Sequence, residues 1–251
     1  GVDIQEGAQV TACRSTDNGV AISIVQNGET CEIEGSHLLV AVGRVPNIEQ
    51  LDLEKAGISA GAKGIQVDKG LRTSNRRVFA IGDVIGGPQF THVAGYHAAI
   101  VIRRALFKTP AKYDHSLVPH VTYTDPELAQ VGMTVAEAQE HNIKTRIVEW
   151  PLWDNDRAVA EGIDDGLVKI VCAPNGKILG AGIVGPGAGD LLSPLMLAMS
   201  KGMKVRDLVA LQIPYPTLSE APKRAAGSWY TPTLYSERTK KLVRLLLKFS
   251  R

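Results

Sequence analysis

The sequence predicts an α/β region followed by an α+β domain with an antiparallel sheet, and three observations lead there. Val78, Phe79, Ala80 and Ile81 form an unbroken apolar run ended by Gly82-Asp83 and followed by a helical pattern from Thr91, the order of a buried parallel strand feeding a helix. Asn18-Gly19 and Asn27-Gly28 interrupt an alternation of apolar and polar positions across residues 9–42, which predicts a small antiparallel meander. Further on, strands over residues 145–152, 167–171 and 178–184 are separated by Asp164-Asp165-Gly166 and Pro174-Asn175-Gly176-Lys177, both turn sequences that favour hairpins.

The remaining elements follow in order. Residues 38–42 are a compact apolar strand, and Gly43-Arg44-Val45-Pro46-Asn47 is a turn after it. Thr91 is expected to N-cap a helix to about Leu106, with Val93, Ala94, Ile100, Val101 and Leu106 on its apolar face. Thr134 and Glu137 are spaced as a capping box that opens a short helix to about His141. Residues 190–201 form an apolar helix, and Met196, Met199 and Met203 at helical spacing indicate core or subunit interface. The run Gly185-Pro-Gly-Ala-Gly-Asp190 lacks the Lys-Ser/Thr that holds phosphate and magnesium, so it is not assigned as a phosphate loop. At the end, residues 236–251 set Arg238, Lys240, Lys241, Arg244, Lys248 and Arg251 against one glutamate, with Leu242, Leu245, Leu246 and Phe249 at helical spacing. This is a basic amphipathic helix that either packs its leucines on the protein or lies on an anionic membrane surface.

Composition bounds the partners. Hydrophobic residues make up 44% and charged residues 22% of the 251, enough chain for one large or two modest cores. A net charge of +2 gives no footprint for nucleic acid, and no run of roughly eighteen apolar residues is present to span a membrane. Gly1 opens inside an apparent domain with no signal peptide, so further sequence is expected ahead of it. Cys13, Cys31 and Cys172 have neither CxxC nor metal-ligand spacing, so no metal centre is assigned.

Residues 73–83, TSNRRVFAIGD, carry the most specific chemical signal. Gly82 removes the Cβ that would block a ligand's approach to the backbone, and Asp83 can accept from a ribityl-type hydroxyl, which makes this a candidate nucleotide or flavin site. LLVAVGRVPNIEQL at 38–51, the Gly-Asp segment, PQFTHVAGYHAA at 88–99 and IPYPTLSE at 213–220 occur in a telling order. That order resembles the C-terminal half of a class I pyridine nucleotide-disulfide oxidoreductase, the flavin-dependent group containing dihydrolipoamide dehydrogenase, glutathione reductase and mercuric reductase. The resemblance runs to about Ala226.

The resemblance implies a Rossmann-like two-dinucleotide-binding fold. Residues 1–47 would end the NAD(P)-binding domain, 48–115 would complete the FAD-binding domain, 116–228 would form the dimerisation domain, and 229–251 would be the basic tail. It implies FAD and NAD(P)H as cofactors, whose glycine-rich fingerprints, together with a redox-active cysteine pair, belong upstream of these residues. The chain alone is therefore expected to be inactive. Gly43 and Arg44 fall where the family's chain passes near nicotinamide and flavin, and are candidate cofactor contacts beside Gly82 and Asp83. The helix start at Thr91, His92 and Val93 would direct backbone N–H groups and a positive dipole end at the flavin pyrimidine edge. His92 is also a candidate proton carrier, and His97 is assigned a structural role.

Within IPYPTLSE the resemblance gives Tyr215 the place of a histidine that serves the family's thiols as acid and base, oriented by the glutamate at Glu220. A phenol with a reference pKa near ~10 is a poor base at neutral pH, although it can donate a hydrogen bond. Mercuric reductase also has tyrosine there, so Tyr215 and Glu220 are candidate catalytic residues of a mercuric reductase-like enzyme. That branch captures its metal with a C-terminal cysteine pair, and no cysteine follows Cys172. The expected function is an FAD-dependent NAD(P)H oxidoreductase, a cytoplasmic homodimer passing electrons to a small molecule, a disulfide or a metal ion. The alternatives are a non-catalytic dimerisation module, or a flavoprotein serving a quinone or membrane partner through residues 236–251.

Overall fold

The structure is a computed structural model that describes residues 1–249 and divides into two compact units, Gly1–Pro46 and Asn47–Arg251. In the first, β1 (Gln9–Thr16), β2 (Gly19–Gln26) and β3 (Glu29–Gly35) form an antiparallel sheet in that order. The second turn carries Asn27 and Gly28 at φ 52° and 84°, the paired left-handed residues of a tight hairpin. The first turn is Asp17-Asn18, one residue earlier than Asn18-Gly19 predicts, because Thr16 pairs with Gly19. Gly19 is held in the ladder, where a Cβ would lie 2.2 Å from the Gly35 carbonyl oxygen.

Residues 38–42, expected as a strand, are irregular, with Leu39, Val40 and Val42 exposed. An apolar run becomes a buried parallel strand only between hydrogen-bonding neighbours, and no described strand pairs with this one.

The second unit opens with a two-residue hairpin, β4 (Ala60–Gly61) and β5 (Gly64–Ile65). The segment 78–81 is not the parallel strand expected. It turns back on residues 71–73: Thr73 N donates to the Val78 carbonyl at 3.0 Å, Ala80 N to the Leu71 carbonyl at 3.1 Å, and Arg72 and Phe79 form an isolated antiparallel bridge. Buried Thr73 explains the change, since its hydroxyl donates to the Asn75 and Val78 carbonyls at 3.0 and 3.1 Å and closes the loop on itself. A single 3-10 turn, Gly82–Ile85, leads on to α1 (Thr91–Ala105). Phe90, not Thr91, is its N-cap: the Phe90 carbonyl accepts from Val93 and Ala94, and Thr91 is the first helical residue. Val93, His97 and Ile100 are the buried face of α1, at the spacing of one helical stripe.

The rest is a five-stranded antiparallel sheet, β6 (His120–Thr122), β7 (Leu128–Gly132), β8 (Arg146–Pro151), β9 (Leu167–Cys172) and β10 (Ile178–Val184), in the order β6-β7-β10-β9-β8. Between β7 and β8 runs α2 (Val135–Glu140) with the expected Thr134–Glu137 capping box, and α3 (Asp156–Ala160) lies between β8 and β9. After β10 the helix expected over 190–201 is two pieces, α4 (Ala188–Leu191) and α5 (Ser193–Ser200), with Pro194 in the first turn of the second. A proline lacks the N–H that would continue the ladder from α4, so the helix restarts there. The Gly180-Ala-Gly182-Ile-Val-Gly185 run has the G-x-G-x-x-G spacing, yet it occupies β10, where residues 180–184 pair with both β7 and β9. Its amides belong to a sheet and form no phosphate-binding helix start.

Following α5 come α6 (Val205–Val209), α7 (Glu220–Ser228), α8 (Thr231–Leu234) and α9 (Glu237–Phe249). Leu192, Leu195 and Leu208 join Val131, Val168, Ile170 and Ile183 of the sheet in one core. Each such side chain contributes about 1.5–3 kcal/mol of burial. Met199 is in this core and Met196 packs against it, whereas Met203 is partly exposed. In α9 no described side chain is buried, so Leu242, Leu245, Leu246 and Phe249 do not pack on the protein; Arg251 lies outside the described residues. Among the described residues no helix is long and apolar enough to cross a membrane.

Candidate functional site

The first candidate site is the turn after residues 78–81. Gly82 is buried at φ +68°, a conformation L side chains rarely adopt, and a Cβ there would lie 3.2 Å from the Ala94 Cβ of α1. Asp83 follows, half-buried in the first position after it, and its carbonyl accepts from Gly86 at 3.1 Å. Gly86 and Gly87 are also left-handed, at φ 70° and 76°. The α1 ladder starts with Val93 N donating to the Phe90 carbonyl at 3.0 Å, which leaves the amides of Thr91 and His92 ahead of it at the positive dipole end. Thr91 and His92 are exposed, and Val93 is buried with its amide bonded within the helix. A carboxylate on a turn without side-chain bulk, near a helix start, fits a hydroxylated, anionic nucleotide such as FAD.

Beneath the turn lies a feature the sequence does not announce. His97 is completely buried, and its Nδ1 accepts from the Gly82 amide at 3.2 Å while its Nε2 meets Nε2 of His115 at 2.9 Å. Burial, and next the neighbouring His115, push the His97 pKa below its ordinary value. The helical spacing that buries Val93 and Ile100 could have placed His97 inward, but its partner His115 lies in a loop and only tertiary packing joins them.

Tyr215 and Glu220 form the second candidate site. The Tyr215 side chain is exposed and its hydroxyl donates to Asp156 Oδ2 at 2.8 Å. That bond first, and then the Asp156 charge, raise the phenol's pKa above its ordinary value. Glu220 is the first residue of α7, and its Oε2 accepts from the Thr217 amide at 3.5 Å. Buried Asn155 ties the two segments: its Nδ2 donates to the Thr217 carbonyl at 3.1 Å and its Oδ1 caps α3 through the Ala158 amide at 3.0 Å. Neither Asn155 nor Asp156 was singled out from the sequence; an Asn before an Asp-led helical turn is a capping signal, but nothing local marks them as partners of a segment some sixty residues later. Gly43, at φ +111°, and Arg44 belong to the first unit, where both are exposed. Among the described residues no cluster of His, Cys, Asp and Glu could hold a metal ion.

Comparison with known proteins specifies the family to which this fold belongs. Residues 1–98 match the pyridine nucleotide-disulphide oxidoreductase family and residues 118–226 its dimerisation domain. Dihydrolipoyl dehydrogenase of Geobacillus stearothermophilus is 36% identical over 228 residues, covering 90% of this chain and 48% of that protein. Mercuric reductase of Staphylococcus aureus is 38% identical over 230 residues, covering 90% of this chain and 42% of that protein. In structure the chain is similar to LpdA from Mycobacterium tuberculosis, with a TM-score of 0.84 at 30% identity over 91% of this chain and 50% of that one. It is also similar to the HOCl-induced flavoprotein disulfide reductase RclA of Escherichia coli as its Cu(II) complex, with a TM-score of 0.81 at 26% identity over 91% of this chain and 52% of that one. The chain belongs to the pyridine nucleotide-disulphide oxidoreductases. It spans about half the length of the curated relatives it matches.

Proposed function

We propose that this chain is the C-terminal portion of an FAD-dependent NAD(P)H:acceptor oxidoreductase, mercuric reductase-like in having Tyr215 where the resemblance places a catalytic histidine. The observation that supports it most is the Gly82-Asp83 turn seated on α1 within a chain that matches the family's dimerisation domain. Residues 1–47, 48–115 and 116–228 are then the end of the NAD(P) domain, the rest of the FAD domain and the dimerisation domain. Bound FAD supplies two-electron transfer between NAD(P)H and the acceptor. Gly82 would give it room, Asp83 would accept from a ribityl hydroxyl, and the amides of Thr91 and His92, braced by Val93, would stabilise its negative charge. Gly43 and Arg44 are proposed as cofactor contacts of the first unit.

In the homodimer Tyr215 and Glu220 act beside the flavin of the partner subunit. Bonded to Asp156, the Tyr215 phenol is a hydrogen-bond donor at neutral pH and does not abstract protons. A soft metal ion, a quinone or another small molecule needs no imidazole base, and such acceptors suit Tyr215 better than a dithiol. In the intact protein, Asp83→Ala is expected to purify without FAD; wild-type flavin content would remove the assignment. Tyr215→Phe should lower turnover with the natural acceptor and leave flavin reduction by NAD(P)H intact.

The exposed leucines and basic residues of α9 favour a second element of the reading, a cytoplasmic enzyme whose tail rests on an anionic membrane. Co-sedimentation with vesicles containing phosphatidylserine, lost on deleting residues 236–251, is the expected result. The competing account, a dimerisation module without activity, predicts a colourless dimer from the intact protein.

A further inference from the structure

The Gly82 amide opens a 3-10 turn, and an N–H at such a position has no partner within its own turn. Here it is satisfied by a side chain from α1. A backbone amide only donates, so His97 Nδ1 carries a lone pair and its Nε2 carries the proton. That proton is directed at His115 Nε2, 2.9 Å away, which must accept, so the proton of His115 sits on Nδ1. One directional chain runs from Gly82 through His97 to His115, with both rings neutral. We infer that His97, fixed in its Nε2–H tautomer by His115, is a positioning residue that clamps the Gly82–Ile85 turn in its flavin-binding form and releases it in acid; this rests on the flavin reading above.

Acid breaks the chain at either ring. A proton added to His97 Nδ1 removes the acceptor of the Gly82 amide. A proton added to His115 Nε2 sets N–H against N–H. Full burial of His97 opposes the first event, whereas His115 is only half-buried. His97 is flanked by the rings of Tyr96 and Tyr113. His115 stacks on Tyr113 at 4.5 Å between ring centres. Its charged surroundings are Asp114 beside it, Lys63 across one cavity, and His120, Glu137 and His141 around another.

The test is FAD affinity of the intact protein, measured by reconstituting apoprotein at about pH 7.5 and about pH 5.5, together with hydrogen exchange of the 82–85 amides in the apoprotein. Wild type should bind FAD about tenfold more weakly at the lower pH. His97→Asn keeps an acceptor near Nδ1 and loses the link to His115, so it should bind nearly as wild type at the higher pH and lose the acid sensitivity. His97→Leu should bind about tenfold more weakly at both values, with faster exchange at Gly82. If the His97 variants do not fold, His115→Ala is measured at both values and should flatten the pH response. Wild-type affinity, pH response and Gly82 exchange in a folded His97→Leu overturn the inference, as does an unaltered pH response in His115→Ala. Asp83→Ala separates the two failures: FAD lost there but kept in His97→Leu sinks the clamp alone, and FAD kept in both sinks the flavin reading.

Discussion

The Tyr215 hydroxyl donates to Asp156 Oδ2 at 2.8 Å, joining the segment before α7 to the first residue of α3. A phenol bonded to a carboxylate resists deprotonation, and Tyr215 accordingly titrates above its ordinary value of 10.0. Its folded pKa exceeds its unfolded one, so the bond's contribution is complete below about pH 10 and is lost as pH rises through the folded value. Phenolate absorbance should show one late tyrosine that titrates earlier in Asp156→Ala. Superimposable curves would mean the bond does not form in solution.

Asn155 holds the same corner from inside. Asn155→Ala removes the α3 cap and one of the two donors to the Thr217 carbonyl, which keeps the Glu220 amide at 3.3 Å, at a combined cost of about 2 kcal/mol. Chemical denaturation should show that loss, and Tyr215→Phe, at an exposed position, should lose far less.

His97 makes stability fall in acid. Its folded pKa lies below the unfolded reference of 6.5, so the unfolded chain binds the proton first. Stability is therefore full above about pH 6.5 and declines as pH falls from there toward the folded value. Melting temperatures across that window should drop less in a folded His97→Asn protein than in wild type. Equal slopes would locate the acid sensitivity elsewhere.

The three cysteines should separate by reactivity. Burial drives the Cys172 thiol up to about 12, so almost no thiolate is present at neutral pH. Cys13 and Cys31 are exposed. An aromatic disulfide reagent should titrate these two in the native chain and reach Cys172 only after denaturant is added.

The centre of the large sheet admits no side chain at Gly180. A Cβ there would sit 2.0 Å from the Met133 carbonyl oxygen and 2.6 Å from its amide, both backbone atoms. Gly180→Ala should cost about 3 kcal/mol in unfolding free energy. Gly227→Ala meets nothing within 4 Å and is not left-handed, so it is the comparison without the clash.

What the residues revealed by themselves were features decided over a few positions. Asn27-Gly28, the Thr134–Glu137 box and three of the five strands of the large sheet, β8, β9 and β10, follow from local turn and capping chemistry. The motif around Gly82-Asp83 and the order of four segments pointed to the family before any geometry was available. Two apolar runs, 38–42 and 78–81, were misleading as strands, because apolarity marks burial or exposure to a partner and does not supply a hydrogen-bonding neighbour.

The tertiary structure alone decided which distant groups meet. His97 and His115 are eighteen residues apart, and Tyr215 and Asp156 fifty-nine. No propensity encodes either pair, since each depends on where packing leaves the two backbones. The proton positions on His97 and His115 follow from the same contacts, because a ring nitrogen's role is set by the group it faces. For this protein the sequence determined the family and the local elements; packing decided which polar groups are partners, and thereby the chemistry open to them.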